Sequence, residues 1–210
     1  MSGSPLELML DDPLAFLLFA IAVVWAITLH EYAHALAADL QGDRMPRAFG
    51  RLTINPAKHL DPLGTILIFL VGFGWGKPVE FRREALSSQR FGAAIVALAG
   101  PLMNLLLAFV TALVALVVFP RTDSRAVILF LDRFFLLNVL LAVFNLIPLP
   151  PLDGSRLLTI FLPPKRQNVI FFLDRYGFII LLALVFFGGL AFVEPLVDAV
   201  GGWLVDLAGG

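Results

Sequence analysis

Two histidines and a glutamate stand close together at His30-Glu31-Tyr32-Ala33-His34, the pattern H-E-x-x-H. On a helix, residues four apart share a face, so both imidazoles can grip one metal ion. Glu31 lies beside them, within reach of a water held by that metal, and can act on it as acid or base. The surrounding stretch, residues 13–40, is otherwise almost wholly apolar. Ionisable groups in such a stretch are expensive and by default functional.

A catalytic zinc site takes three protein ligands and keeps one position open for water. The extended pattern that would supply a third histidine is missing, because Ala37 and Leu40 occupy its glycine and histidine positions. The remaining candidates are Asp39, Asp43, His59, Asp61, Glu80, Glu84, Asp153 and Asp174. Most of them sit in basic, loop-like stretches where solvation is the simpler account. Asp153 differs. It follows an apolar block in Asn145-Leu-Ile-Pro148-Leu-Pro150-Pro151-Leu152-Asp153-Gly154. The prolines end a helix there and Gly154 permits a tight turn, so a carboxylate can bend back toward the block it left.

The elements that must position these residues belong to a membrane. Hydrophobic residues make up 60% of the 210, and charged residues 15%. A soluble domain of this size cannot hide so much apolar surface. Four blocks, 13–40, 91–119, 126–147 and 169–193, reach the roughly 20 apolar residues that a bilayer crossing needs. A shorter block at 63–75 ends in glycines and reads as a re-entrant or partly inserted segment. The expected fold is an all-α polytopic membrane protein with four transmembrane helices, the short inserted segment and room for a small β-hairpin at the interface. We expect one domain over 1–210. Its catalytic core covers about 13–160, and a last span and an interfacial helix cover 168–210. The acidic N-terminus lacks the basic region of a signal peptide, so the first block is expected to stay in the mature chain. A net charge of −1 gives no electrostatic case for nucleic acid. Cysteine is absent, which excludes disulfides and Cys-ligated metal.

Basic residues set the orientation. Arg44, Arg47, Arg51 and Lys58 fall in one loop, and Lys77, Arg82, Arg83 and Arg90 follow the short block. Arg156, Lys165, Arg166 and Arg175 follow the third span. All belong on the cytoplasmic side, which requires the short block to enter and leave on the same side. The first and third spans then run parallel, and His30, His34 and Asp153 reach the same membrane face. A full crossing by the short block would place Asp153 on the opposite side from the histidines.

On these residues the chain resembles the site-2 protease family of intramembrane zinc metalloproteases. HEYAH at 30–34 and N-x-x-P-x-x-x-L-D-G at 145–154 carry the resemblance as a pair. NPAKHLDPLG at 55–64, GWGKPV at 74–79 and AGPLMN at 99–104 extend it over most of 13–158. The chain is similar to the minimal branch, with no room for the PDZ domain of many relatives. The resemblance implies one Zn²⁺ per chain bound by His30, His34 and Asp153, with Glu31 as the catalytic acid/base. It also suggests that Asn145 positions substrate or stabilises the oxyanion. The stretch containing Gly74, Trp75 and Gly76 reads either as a strand edge that holds an unwound substrate or as an ordinary interfacial turn anchored by its tryptophan. The implied partners are a membrane-spanning protein substrate and the lipid bilayer. Short loops and the lack of targeting features favour a prokaryotic plasma membrane, and the basic residues put the active site toward the cytoplasm. Asn104 reads as a helix-packing residue, and Gly100 with Pro101 as the shaper of a close helix contact. The rival reading is a non-enzymatic membrane metal-binding or metal-transport protein. Such a protein would not need a glutamate directly after the first histidine.

Overall fold

The computed structural model describes residues 5–72, 74–88, 91–161 and 167–210, without the side chains of 159–161 and 167–170. Among them nine α-helices form. A short α1 (Pro5–Asp11) precedes the long α2 (Pro13–Leu40). Asp12 caps α2 by accepting from Ala15 N at 3.2 Å, and Pro13 takes the first helical position, where its missing N–H costs nothing. The same Asp-Pro signal starts α4 (Pro62–Val71), with Asp61 accepting from Gly64 N at 2.8 Å. α3 (Met45–Ala48) lies between them. α5 (Gly92–Val118) and α6 (Arg125–Asn145) follow, then α7 (Gly154–Phe161), α8 (Gln167–Phe186) and α9 (Val193–Ala208).

The centre is a bundle of α2, α5 and α6. Its interior is built from small residues: Ala22, Ala26, Ala35 and Ala38 on α2, and Ala93, Ala97, Gly100 and Ala108 on α5. Small side chains let helix backbones approach closely where lipid removes the hydrophobic drive between helices. The large apolar residues turn outward, among them Leu17, Leu102, Leu106 and Val117. This inversion of a soluble core is what a lipid-facing surface requires. Three described helical stretches are long and apolar enough to cross a membrane: 13–40, 92–121 and 125–145. The protein is an integral membrane protein. α8 covers most of the stretch expected as a fourth span, 169–193, and stops at Phe186, seven residues short of the expected end. Gly188 follows in the left-handed region at φ 72°.

Two contacts at opposite ends show that α2 and α6 run the same way. Arg125, opening α6, pairs with Asp12, at the start of α2. At the other end Asp153, just past α6, meets His30 and His34. The short block folds as the helix α4 and a return strand of chain. Phe69 meets Phe16 and Phe19 near the start of α2, while Ile68 packs with Val23 and Ile27. The chain then comes back along α4. Leu60 bridges Gly76 antiparallel, and Lys77 N donates to His59 O at 2.7 Å. A Cβ on Gly64 would lie 2.1 Å from Trp75 O, so only glycine admits this close return. The two ends of the block therefore sit side by side. Among the described residues the expected hairpin is absent. One isolated bridge stands in its place, because only a single residue on each side runs in register.

The C-terminal segment, expected as an interfacial helix, forms α9. α9 buries Val193, Val197 and Leu204 against α5 and α6. Gly201 faces Phe135, and Val205 lines an apolar cavity of about 360 Å³ with Thr111, Ala115, Phe119, Leu131 and Phe135. The helix thus runs along the bundle. Its apolar stripe found helices to bury against, a choice that amphipathicity alone does not decide. Arg90, Lys165 and Arg166 lie outside the described residues.

Candidate metal centre

His30 and His34 lie on one face of α2, both only 6% exposed. Each imidazole is held by a hydrogen bond from its Nδ1. His34 Nδ1 donates to the carbonyl of Val96 on α5 at 2.7 Å. Pro101, in the next turn, lacks the N–H that would tie the neighbouring carbonyl of Ala97 and so loosens this part of α5. His30 Nδ1 lies 2.5 Å from Asn104 Oδ1, whose own Nδ2 donates to Asn138 Oδ1 at 2.8 Å. Carbonyl oxygens only accept, so both rings carry their hydrogen on Nδ1 and keep a lone pair on Nε2.

Those lone pairs converge. His30 Nε2 and His34 Nε2 are 3.0 Å apart, and Asp153 Oδ2 lies 3.1 and 3.2 Å from them. Asp153 Oδ2 is buried and receives no hydrogen bond. Three acceptors facing one another at contact distance repel unless a cation sits among them. Zinc bonds of about 2.0–2.1 Å in a tetrahedron place ligand atoms about 3.4 Å apart, close to the observed triangle. The three residues form the group of described side chains able to hold a metal ion. Gly100 makes room for it: a Cβ there would lie 2.4 Å from His34 Nε2 and 2.6 Å from His30 Nε2. The expected shaping role of this glycine thus acts on the imidazoles themselves.

Asp153 reaches the pair as the local sequence demands. α6 ends at Asn145, and α7 resumes at Gly154 after the proline-rich turn. A Cβ on Gly154 would meet Leu146 O at 2.2 Å, so the turn closes over the helix end only with glycine there. α8 covers it from outside, with Gly177 against Pro150. Glu31 stands next to the triad. Its Oε2 is buried without a hydrogen-bond partner, and its Oε1 would lie 3.4 Å from a Cβ on Gly76. The 74–76 stretch therefore passes along this carboxylate, and the Trp75 ring meets Phe178 edge-on at 5.7 Å. Asn145 is turned away from such work in this structure: its Nδ2 donates to Leu141 O of its own helix at 3.0 Å.

The other acidic and histidine candidates have other occupations. Asp39 accepts from Arg44 and Arg47, and Asp61 caps α4. Asp43 is fully buried. Burial pushes its pKa up, but hydrogen bonds from Arg82 N at 2.5 Å, Met45 N at 3.0 Å and the Arg82 guanidinium outweigh that and hold it below the usual value. His59 is buried, which lowers its pKa, and it donates from Nε2 to Thr53 O at 2.6 Å. Glu80 and Glu84 are exposed, and Asp174 pairs with Arg156 at 3.8 Å. Sequence reasoning missed Asn138, the imidazole-holding role of Asn104, and Arg51. The Arg51 guanidinium ties the carbonyls of Lys58, Lys77 and Pro78 together beneath the site. The available signal was two asparagines in facing apolar spans, each too costly there without a partner.

Comparison with known proteins gives the family. The model of peptidase family M50 matches residues 18–123 and 120–185. "Putative zinc metalloprotease YwhC" of Bacillus subtilis is 41% identical over 182 residues, covering 84% of this chain and 80% of its own. "Putative zinc metalloprotease Rip2" of Mycolicibacterium smegmatis is 32% identical over 180 residues, covering 81% and 67%. Its Mycobacterium tuberculosis namesake is 30% identical over 214 residues, covering 94% and 78%. No solved structure matches. The chain belongs to peptidase family M50, the family of the site-2 proteases, and is a metalloprotease.

Proposed function

We propose that this protein cuts membrane-spanning protein substrates within or just below the bilayer. One zinc is held by His30, His34 and Asp153, and Glu31 is the general base. The observation that carries the reading is the convergence of two bare Nε2 atoms and a carboxylate oxygen at 3.0–3.2 Å. Zinc bound there supplies Lewis acidity and makes water reactive near neutral pH. Glu31, beside the triad and without a hydrogen-bond donor on Oε2, takes the proton of the attacking water. It then delivers that proton to the nitrogen of the leaving amine. A helical substrate hides its peptide bonds and must unwind. Gly74, Trp75 and Gly76 offer it extended backbone beside Glu31. Asn145 would turn from Leu141 to meet the developing oxyanion. The short block dips into the bilayer and returns, with the site on the cytoplasmic side.

Glu31→Gln is the direct experiment. The variant keeps zinc and the fold and loses hydrolysis of a membrane substrate; near-wild-type turnover would reject the role. Orientation is read by single cysteines in this cysteine-free chain. Phe49→Cys and Glu84→Cys react with an impermeant thiol reagent from the cytoplasmic side, and Asp123→Cys from the other. Labelling of position 84 from the side of position 123 would make the short block a full span and undo the assignment.

A further inference from the structure

Two asparagines stand in line behind His30, and both are completely buried in the bundle. The polarity of the line is set from its far end. The carbonyl of Phe134 can only accept, so Asn138 Nδ2 donates to it at 2.8 Å. That turns Asn138 Oδ1 toward Asn104, which must answer with a donor, its Nδ2, also at 2.8 Å. Asn104 Oδ1 is thereby left facing His30 Nδ1, where it can only accept. The hydrogen then resides on Nδ1, and Nε2 keeps the lone pair aimed at Asp153 and His34.

We propose that Asn138 is a positioning residue: by fixing which way the Asn104 amide points, it holds His30 in the one neutral tautomer whose Nε2 can bind a metal. This rests on the metal reading above. The alternative state is concrete. Rotating the Asn104 amide by half a turn presents its NH₂ to His30 Nδ1 and drives the imidazole hydrogen onto Nε2, into the ligand triangle. In the native chain that rotation sets two acceptor oxygens against each other at the Asn138 contact. Without Asn138 the amide is restrained only by a long contact to Ala26 O at 3.4 Å. His34 needs no such relay, since Val96 O holds it in one step.

Asn138→Leu removes the acceptor at nearly constant volume. Asn138→Asp keeps an acceptor oxygen in either protonation state and serves as the rescue. The chain has three histidines, so ¹⁵N-labelled imidazoles of the full, metal-free protein in detergent micelles give an assignable spectrum. Tautomers are read there, above the imidazole titration, and zinc affinity by competition with a chelator. In wild type and Asn138→Asp, His30 is expected as the pure Nδ1–H form. In Asn138→Leu it becomes a tautomer mixture, His34 is unchanged, and zinc binds about 10–100-fold more weakly. A pure Nδ1–H His30 with wild-type zinc affinity in Asn138→Leu would overturn the proposal, as would equal loss in both variants. Wild type without zinc affinity would sink the metal reading alone, because the tautomer spectrum is taken without metal.

Discussion

His34 and Asp39, five positions apart on α2, belong to two polar clusters that are held by opposite means. Around His30 and His34 every restraint is neutral: a backbone carbonyl, two amides, and a helix backbone behind them. Around Asp39 and Asp43 the restraints are ionic, with Arg44, Arg47 and Arg82 reaching over from positions 59–66% exposed. The difference follows depth. A guanidinium in the bundle interior would need a partner charge and full desolvation. At the loop face the same group keeps part of its surface in water. In the interior the direction of each hydrogen atom therefore decides function, whereas at the face the presence of charge decides only stability.

The largest effect should come from the carboxylate that completes the ligand triangle. Asp153→Asn removes the anionic member of the triangle and leaves an amide between two lone pairs. Metal content by elemental analysis should fall to background. Hydrolysis should drop by well over about 100-fold, the upper range for losing a mere support of a ligand. Full metal retention with unchanged turnover would remove Asp153 from the centre.

Next comes room, tested by paired glycines. Gly100→Ala puts a methyl 2.4 Å from His34 Nε2, and the contact is a ring held by its own hydrogen bond. Zinc affinity should fall by at least about 10-fold. Gly50 has φ 67° and nothing within 4 Å of a would-be Cβ. Gly50→Ala should cost about 1–2 kcal/mol of backbone strain and leave metal binding alone. If both variants lose zinc alike, the two regions are not separable as argued.

These pairs also mark what could be read from sequence. HEYAH and the proline stop before Asp153 are local patterns, and each appears where its chemistry predicts. The parallel α2 and α6 followed from basic residues counted in loops. Asn104 was readable as costly in an apolar span, yet its partner lies 74 residues away in His30, and no periodicity names a partner. Asn138 interrupts a run of leucines without any motif around it. Arg51 looked like one more loop charge, because its three carbonyl partners become neighbours only when the short block returns on itself. α9 offered an apolar stripe that suits a membrane surface or a helix pair equally.

At the loop face, Asp43→Asn should lower stability by about 1–3 kcal/mol, since it weakens charge-assisted bonds to Arg82 and Met45. The pH dependence follows from its depressed pKa. The carboxylate contributes above its ordinary value near 3.8, and the contribution is lost as pH falls through the lower folded value. Acid unfolding followed by intrinsic fluorescence should show this limb in wild type and a smaller one in the variant. Zinc affinity at neutral pH should be equal in the two.

The smallest effect separates two arginines on one carboxylate. Arg47 grips Asp39 with two bonds, Nε to Oδ1 at 2.9 Å and Nη2 to Oδ2 at 2.7 Å. Arg44 adds a single bond, Nη1 to Oδ2 at 3.0 Å, from a side chain 66% exposed. Paired parallel bonds fix geometry as well as charge, and a lone exposed contact is largely screened. Arg47→Gln should therefore destabilise more than Arg44→Gln, with the latter within about 0.5 kcal/mol of wild type. Added salt should shrink the gap between the variants. Neither should disturb zinc, because five residues turn Asp39 roughly 140° away from His34 around the helix. Equal losses in the two variants would mean that the bidentate grip contributes nothing beyond charge. A loss of zinc in either would mean that the face and the interior are coupled through the last turns of α2.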